Sequence, residues 1–184
     1  MQFVIVLGSR NPAGQTARAA QAMRDGLVAA GAEGDLFYLP TLQIERCRQC
    51  DADGWGTCRS DGACVISDDF ASVVERIRAA DVVVFATPVY YGDQSESMRA
   101  FTDRLRRICR AEYRQGIAGK PTVGICVAGG GGGGAPSCTV SLERVLRTCG
   151  FDVVDLVPVR RQNLDLKLEI LERTGRWLAT GPTS

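Results

Sequence analysis

The sequence predicts an α/β fold of three layers, in which five parallel strands form one sheet with helices on both faces. Short apolar runs alternate along the chain with longer amphipathic stretches. The apolar runs are continuous, as strands that are buried on both faces of a sheet require. No repeat or linker interrupts the pattern, so the 184 residues are expected to form a single domain, 1–184.

The strand predictions depend on short apolar runs that are bounded by turn residues. In chain order these runs cover residues 3–7, 36–39, 81–87, 121–128 and 151–157. The intervening loops include GSRNPAGQT after the first run, PVYYGDQ after the third and AGGGGGGAP after the fourth. These three loops are the ones that matter for function below.

The helix predictions depend on amphipathic stretches between those runs. They cover residues 17–30, 68 or 69 to near 80, 95 or 96 to about 110, 137 or 139 to 149, and about 165–178. Asp68 and Asp69 offer N-cap carboxylates to the second helix, and Gly150 is the expected stop of the fourth. One irregular insertion, the cysteine segment at about residues 45–66, follows the second strand.

Composition excludes several classes of function. The chain has 22 Lys and Arg against 21 Asp and Glu, so neither a nucleic acid nor a membrane is an expected partner. The start MQFVIVLGSR has neither a charged leader nor a long apolar run, and the expected location is the cytoplasm. Because the chain has no His, it lacks a Ser-His or Cys-His nucleophile and an imidazole base.

A ligand of such a sheet binds outside the carboxyl ends of the strands, where the strand order reverses. The first loop, residues 8–16, leads directly into a helix. Free amides, the helix dipole and the hydroxyls of Ser9 and Thr16 can converge there on a phosphate. The loop is not a Walker A motif, because Gln15 stands where Lys is required. An ordinary capped turn is the alternative.

The other two loops suit a flat ring. Tyr90, Tyr91 and the flexible Gly92 follow the third strand, although either Tyr alone can instead pack under its loop. Six consecutive glycines at 129–134 leave the backbone bare for close approach to a ligand, unless they form only a floppy connector. Together the three loops suit a ligand with a phosphate at one end and a heteroaromatic ring at the other, such as FMN.

Three segments, GSRNPAGQT, ATPVYYGDQSESMRAFTDRL and VAGGGGGG, resemble in order and spacing the NADPH-dependent FMN reductase branch of the flavodoxin-like proteins. With CRQC and CVISDD between them, the chain is similar to the iron-sulfur flavoprotein subgroup. The resemblance covers most of residues 1–150. It implies a flavodoxin-like sandwich with strand order 2-1-3-4-5 and noncovalently bound FMN.

The resemblance also implies the residues of the flavin site. Around the phosphate it places Ser9, Arg10, Asn11, Gln15 and Thr16. Along the isoalloxazine it places Pro88, Val89, Tyr90, Tyr91 and Gly92, and on the other side Gly129, Gly130, Gly131, Gly132, Gly133 and Gly134. Support of these loops is the main role expected of Ser95, Phe101, Asp103 and Arg104.

Four cysteines crowd the stretch CRQCDADGWGTCRSDGAC: Cys47, Cys50, Cys58 and Cys64. Iron-sulfur flavoproteins resemble one another in a compact CxxCxxC run with a fourth Cys nearby, and removing residues 51–55 here restores that spacing. The simplest interpretation is a short insertion that keeps four ligands for a [4Fe-4S] cluster. Zinc and free or oxidised thiols stay open as alternatives. The other cysteines are expected in the core: Cys109, Cys126, Cys138 and Cys149.

The resemblance implies an oxidoreductase that takes electrons from NAD(P)H onto FMN and passes them to a small acceptor such as a quinone or a flavin. Two alternatives stay open, a non-catalytic electron carrier served by ferredoxin and a zinc-stapled binding domain. A homodimer or homotetramer is implied, with the cysteine segment of one subunit near the flavin of another. The Arg-rich surface at 99–114 is expected to be solvated or subunit-facing, with binding of nicotinamide phosphates as the alternative.

Overall fold

The computed structural model of the chain describes residues 1–109 and 111–181. The strands are Gln2–Leu7 (β1), Glu33–Tyr38 (β2), Val82–Tyr90 (β3), Asp93–Gln94 (β4), Pro121–Ala128 (β5) and Asp152–Arg160 (β6). The α-helices are Gln15–Ala29 (α1), Thr57–Ser60 (α2), Phe70–Ala79 (α3), Glu96–Ile108 (α4), Ala135–Cys149 (α5) and Leu164–Ala179 (α6). Short 3₁₀ helices occupy Leu39–Thr41, Ala111–Tyr113 and Arg161–Asn163.

The five long strands form one parallel sheet in the order β2-β1-β3-β5-β6. The two-residue β4 pairs antiparallel with the end of β3 and lies off this path. The predicted fold class is therefore confirmed, and the order differs only because β4 was not foreseen. The strand order reverses between the neighbours β1 and β3. The chain continues from β1 to β2 on one side of this point and from β3 to β5 and β6 on the other.

Both faces of the sheet are covered by helices. Alternate residues of a strand point to opposite faces, so Phe3 and Ile5 pack with α1 and α6, while Val4 and Val6 pack with α3, α4 and α5. Helices α1 and α6 lie close enough that a Cβ at Gly26 would overlap the backbone of Glu172. This is the three-layer arrangement that the continuous apolar runs predict.

The prediction that PVYYGDQ is a loop is wrong. Pro88 to Tyr90 continue β3, and Asp93 and Gln94 return along it as β4. Tyr91 and Gly92 connect the two strands with φ values of 52° and 77°. Two consecutive positive φ values are those of a type I′ turn, whose twist matches that of a hairpin. The hairpin is therefore favoured over an open loop, because the backbone of β4 forms hydrogen bonds with the end of β3.

The ends of other elements also differ from the predictions. Strand β2 begins at Glu33 and β6 runs to Arg160, beyond the apolar runs that predicted them. The predicted end of α4 near Arg110 lies outside the described residues, and the helix ends at Ile108. Gly150, with φ of 99°, ends α5 as predicted. The single domain over 1–184 stays a prediction.

None of the helices in the described parts of the chain combines the length and the apolarity needed to cross a membrane.

Candidate functional site

An open cleft lies at the carboxyl ends of β1, β3 and β5. Its lining comes from all three of the loops singled out in the sequence: Ser9, Asn11, Gly14, Gln15, Thr16, Pro88, Val89, Tyr90, Val127 and Gly129. The cleft lies beside the point where the strand order reverses, which is where open α/β sheets bind their ligands. This cleft is the candidate binding site.

One end of the cleft is suited to an anion. Helix α1 starts there with Gly14 as N-cap, no side-chain cap and no acidic residue in its first turn. The first amides of a helix have no intrahelical acceptor and lie at the positive end of its dipole. Thr16 is buried beside them, and the Gln15 side-chain oxygen is buried without a hydrogen-bond partner. A phosphate would accept hydrogen bonds from the free amides and from the Thr16 hydroxyl, whereas the Gln15 oxygen is an acceptor and requires a donor group of the ligand.

Arg10 differs from the other residues predicted around the phosphate. Its side chain is exposed and donates a hydrogen bond of 3.5 Å to the Pro40 carbonyl oxygen. It does not line the cleft. A role for Arg10 at the phosphate stays a prediction.

Ser95 fixes the loop after β1 and strand β3 to helix α4. It is the N-cap of α4, where its Oγ accepts a hydrogen bond from Met98 N, and it donates to the Gly8 carbonyl oxygen at 2.8 Å. Its backbone N–H donates to Thr87 Oγ1 at 3.0 Å. A Cβ at Gly8 would lie 2.6 Å from Ser95 Oγ, so only glycine fits there. The expected role of Ser95 in loop support is confirmed.

The hairpin after β3 supplies the aromatic wall of the cleft. Pro88, Val89 and Tyr90 line it, and Tyr90 is half exposed. Tyr91 is fully exposed at the turn and lies outside the lining, as does Gly92. Neither Tyr packs under the loop, so that alternative is wrong.

Asp93 braces the base of this hairpin. Its carboxylate accepts hydrogen bonds from Ser141 Oγ at 2.7 Å and from the Arg99 guanidinium. Partial burial opposes ionisation, but the hydrogen bonds from Ser141 and the backbone of Gln94, with the charge of Arg99, hold the pKa of Asp93 below its usual value. The ionised carboxylate thus joins the hairpin to α4 and α5.

The glycine loop is an ordered turn. Gly132 N donates to the Gly129 carbonyl oxygen at 2.9 Å, and Gln162 Nε2 donates to the Gly131 carbonyl oxygen at 3.2 Å. A Cβ at Gly134 would lie 2.7 Å from the Cα of Gly92, so the glycine loop and the hairpin touch. These contacts favour an ordered turn over a floppy connector.

Only the first glycine of this loop reaches the cleft. Gly129 lines it, whereas the structure places the other five predicted positions outside the lining: Gly130, Gly131, Gly132, Gly133 and Gly134. Two lining residues were not among the predicted ones. Gly14 could be predicted from the sequence as the residue that precedes a helix without a side-chain cap. Val127 could not, because its sequence context indicates only an apolar strand.

The four clustered cysteines line a second, narrow cavity between the cysteine segment and α4. We call it the cysteine cavity. The thiols of Cys47, Cys50, Cys58 and Cys64 are all free, and only Cys50 is exposed. Within the described residues, no three Cys, Asp or Glu side chains converge closely enough to hold one metal ion. The four cysteines thus share the lining of one cavity.

Residues 51–55 form a closed turn, here called the insertion turn. Asp51 N donates to the Trp55 carbonyl oxygen at 2.9 Å, and Gly54 N donates to the Asp51 carbonyl oxygen at 2.8 Å. After the turn the chain returns to its starting point, since a Cβ at Gly56 would lie 3.1 Å from the Cβ of Cys50. The turn therefore closes on itself between Cys50 and Gly56, as an insertion between ligands would.

Arg104 anchors both ends of the cysteine segment to α4. Its guanidinium donates to both carboxylate oxygens of Asp68, at 2.6 and 2.9 Å, and to the Glu45 carbonyl oxygen at 3.0 Å. The Arg104 and Asp68 side chains are only 1% and 6% exposed. The expectation of a solvated arginine surface is wrong for Arg104, because these acceptors replace the water that its charge requires.

Asp68 also starts helix α3. Its Oδ1 accepts a hydrogen bond from Phe70 N, whereas Asp69, at the N-cap position, uses its carboxylate to accept from Gln43 N. The prediction of a capping carboxylate is thus met by Asp68. Burial opposes ionisation of Asp68, but the hydrogen bonds from Arg104 and from the Glu45 backbone hold its pKa below the usual value.

The remaining four cysteines are buried, as predicted: Cys109, Cys126, Cys138 and Cys149. A hydrogen bond with Cys138, together with burial, raises the pKa of Cys126. A hydrogen bond with Cys109, together with burial, raises the pKa of Cys149. These two thiols are therefore protonated core groups at neutral pH.

Comparison with known proteins identifies the family of the chain. The model of the family described as NADPH-dependent FMN reductase matches residues 1–160. An iron-sulfur flavoprotein of Methanosarcina thermophila is 29% identical over 124 residues, which are 67% of this chain and 61% of the relative. One from Methanocaldococcus jannaschii is 25% identical over 131 residues, which are 71% of this chain and 65% of the relative. The alignments thus span less than two thirds of these relatives.

Solved structures show the same fold. The NAD(P)H:quinone oxidoreductase from Methanothermobacter marburgensis superposes with a TM-score of 0.75 at 21% identity. The superposition covers 100% of this chain and 98% of that one. A structure described as a flavodoxin from the domain Archaea superposes with a TM-score of 0.63 at 14% identity and covers 98% and 97% of the two chains. The flavodoxin-like fold predicted from the sequence is confirmed.

Proposed function

Because the chain belongs to the NADPH-dependent FMN reductase family, we propose that it binds FMN in the cleft and oxidises NAD(P)H. The electrons pass to a small acceptor such as a quinone or a flavin. The names of relatives support this proposal, since they include iron-sulfur flavoproteins and, at the level of fold, an NAD(P)H:quinone oxidoreductase. A cytoplasmic location and a homodimer or homotetramer form part of the same proposal.

The observation that carries the proposal is that the cleft joins an uncapped helix start to an aromatic wall. The α1 amides, Ser9 and Thr16 offer donors to a phosphate at one end, and Tyr90 offers a flat surface at the other. The Gln15 side-chain oxygen is buried without a partner in this lining, so it can accept a hydrogen bond from the ligand. These groups fit FMN, which combines a phosphate with a flat heteroaromatic ring.

The residues of the cleft bind and orient this cofactor. When bound, FMN supplies the hydride acceptance and the one-electron and two-electron chemistry. Pro88, Val89 and Tyr90 cover the ring and exclude water from it, while the bare backbone at Gly129 permits close approach. No side chain of the lining is assigned a proton-transfer role.

FMN titration of the apoprotein tests the phosphate end. Replacing Ser9 or Thr16 with Ala removes a charge-assisted hydrogen bond of about 1.5 to 3 kcal/mol, so each variant is expected to bind FMN about tenfold to 150-fold more weakly. The matched control is Ser72→Ala, whose hydroxyl is exposed on α3. Wild-type affinity in both cleft variants would show that the phosphate lies elsewhere.

Steady-state oxidation of NADH and NADPH by the FMN-loaded protein tests the activity. Turnover with either donor is expected, measured with a quinone or free flavin as acceptor. If neither donor is oxidised while FMN is bound, the reductase proposal fails and the electron carrier served by ferredoxin replaces it. If the protein retains no flavin absorption after FMN is added and the unbound FMN is removed, a binding domain is favoured instead.

We further propose that Cys47, Cys50, Cys58 and Cys64 hold a [4Fe-4S] cluster. Support comes from three facts: the four cysteines line one cavity, the insertion turn closes on itself between two of them, and relatives carry the name iron-sulfur flavoprotein. Four cysteines are also a ligand set for one zinc ion. Iron, sulfide and zinc analysis of anaerobically purified protein decides between these occupants, and zinc without sulfide would refute the cluster.

A further inference from the structure

We infer that Arg107, held against the cysteine cavity by the insertion turn, raises the reduction potential of the cluster bound there. The inference depends on the cluster proposed above. It assigns a role to Arg107 of α4 and to the insertion turn, whose five residues contribute no ligand to the cluster.

The first observation is a pair of unsatisfied donors. Arg104 and Arg107 both line the cysteine cavity, and the Nε–H group of each is buried without a hydrogen-bond partner. A buried donor without an acceptor is unfavourable by about 1 to 3 kcal/mol. The thiolate and sulfide sulfurs of a cluster are anionic acceptors, so an occupied cavity supplies what these donors lack.

The second observation is the way in which Arg107 is held. Its Nη1 donates to the Gly54 carbonyl oxygen at 2.7 Å, and its guanidinium carbon lies 4.6 Å from the centroid of the Trp55 ring. Arg59 lies over the same ring at 5.9 Å and pairs with Asp53 at 2.8 Å. Gly54 and Trp55, which hold Arg107, and Asp53, which pairs with Arg59, all belong to the insertion turn. The turn therefore fixes a cation beside the four thiols.

The charges of the two arginines are not equivalent. Arg104 is compensated by the buried carboxylate of Asp68, with which it forms two hydrogen bonds. The contacts that hold Arg107 are to a carbonyl oxygen and an indole ring, both of which are neutral groups. Its positive charge is thus available to the contents of the cavity.

The effect of this charge on the potential follows from electrostatics. One-electron reduction adds one negative charge to the cluster, while the four thiolate bonds stay in place. A nearby cation in a poorly solvated site stabilises the reduced form more than the oxidised form, which raises the potential. The inserted residues thereby adjust the energy of electron transfer without changing the number of ligands.

The test is a redox titration of the full chain, with dithionite as the one-electron reductant and the EPR signal of the reduced cluster as the readout. Arg107→Gln is expected to lower the equilibrium constant for reduction at least tenfold, which is about 59 mV for one electron. Arg107→Lys keeps the charge and is expected to stay within about threefold of wild type, a change smaller than that tenfold step. Arg106→Gln is the matched control, because Arg106 is exposed and pairs with Asp103.

Equal potentials in Arg107→Gln and Arg106→Gln would overturn the inference. If Arg107→Gln does not retain iron, Trp55→Leu replaces it, since that change removes the ring under Arg107 and keeps the cation. A lower potential in Trp55→Leu supports the inference, and an unchanged one overturns it. Wild-type protein without iron and sulfide would refute the cluster itself, whereas a wild-type cluster with no shift in the variants refutes only the role of Arg107.

Discussion

The cleft and the cysteine segment lie in the same domain but are fixed in different ways. The cleft is built on the ends of three parallel strands, and Ser95 ties the loop after β1 and strand β3 to α4 through hydrogen bonds to backbone and side chain. The cysteine segment contains only the four-residue helix α2 as regular structure. Arginine side chains of α4 hold it from outside, Arg104 at its two ends and Arg107 at the insertion turn.

This difference determines how each region responds to substitution. Strand ends are positioned by the backbone ladder of the whole sheet, so the cleft depends little on any one side chain. The four thiols have no such ladder, and their arrangement depends on a few charged contacts. A single substitution at Asp68 or Arg104 is therefore expected to affect the cysteine segment far more than one substitution affects the cleft.

The largest effect is expected from Asp68→Asn. Removing one partner of a buried ion pair leaves Arg104 as an uncompensated charge, which lowers the free energy of unfolding by about 3 to 5 kcal/mol. Urea unfolding measures this loss. The control is Asp103→Asn, which breaks a partly exposed pair with Arg106 and is expected to change stability by about 0.5 kcal/mol or less. Equal effects in the two variants would show that Arg104 does not anchor the segment.

The Asp68–Arg104 ion pair also makes the free energy of unfolding depend on pH. The folded pKa of Asp68 lies below its unfolded value of about 3.9, so its contribution is complete above that value and is lost as the pH falls through the folded pKa. The difference in unfolding free energy between wild type and Asp68→Asn is therefore expected to be constant near pH 6 and to shrink below about pH 4. A difference that grows as the pH falls would contradict this sign.

The cleft and the cysteine segment also differ in how much of each could be predicted from the sequence. Continuous apolar runs and helical spacing predict the sheet, its helices and the three loops, because those patterns arise from burial on two faces. Spacing also predicts that the four cysteines belong together. The burial of Arg104 could not be predicted, since a charged residue on a helix is usually solvated and its partner Asp68 is 36 residues away. The hairpin of Tyr91 and Gly92 was missed because Tyr rarely adopts a positive φ.

A moderate effect is expected from Gly134→Ala. Gly134 has φ of 80°, and its Cβ would meet the backbone of Gly92, so the change destabilises the protein by at least about 1 to 2 kcal/mol. Gly133→Ala is the matched control, because no atom lies within 4 Å of its added Cβ. Thermal unfolding compares the two. If both alanines were tolerated equally, the contact between the glycine loop and the hairpin would not hold the cleft together.

The smallest effect on stability is expected from Tyr91→Asn. Tyr91 has φ of 52° and a fully exposed side chain, so it gains little from packing and is strained, whereas Asn adopts this conformation more readily. The variant is expected to be more stable by about 0.5 to 1 kcal/mol. The same variant is also expected to bind FMN several-fold more weakly. Backbone strain persists at functional sites, and the family resemblance places Tyr91 beside the flavin ring. Trp177→Leu, an exposed aromatic far along the chain on α6, is the control for affinity. Affinity equal to that control, together with the gain in stability, would leave Tyr90 as the one tyrosine of the pair that contacts the ring.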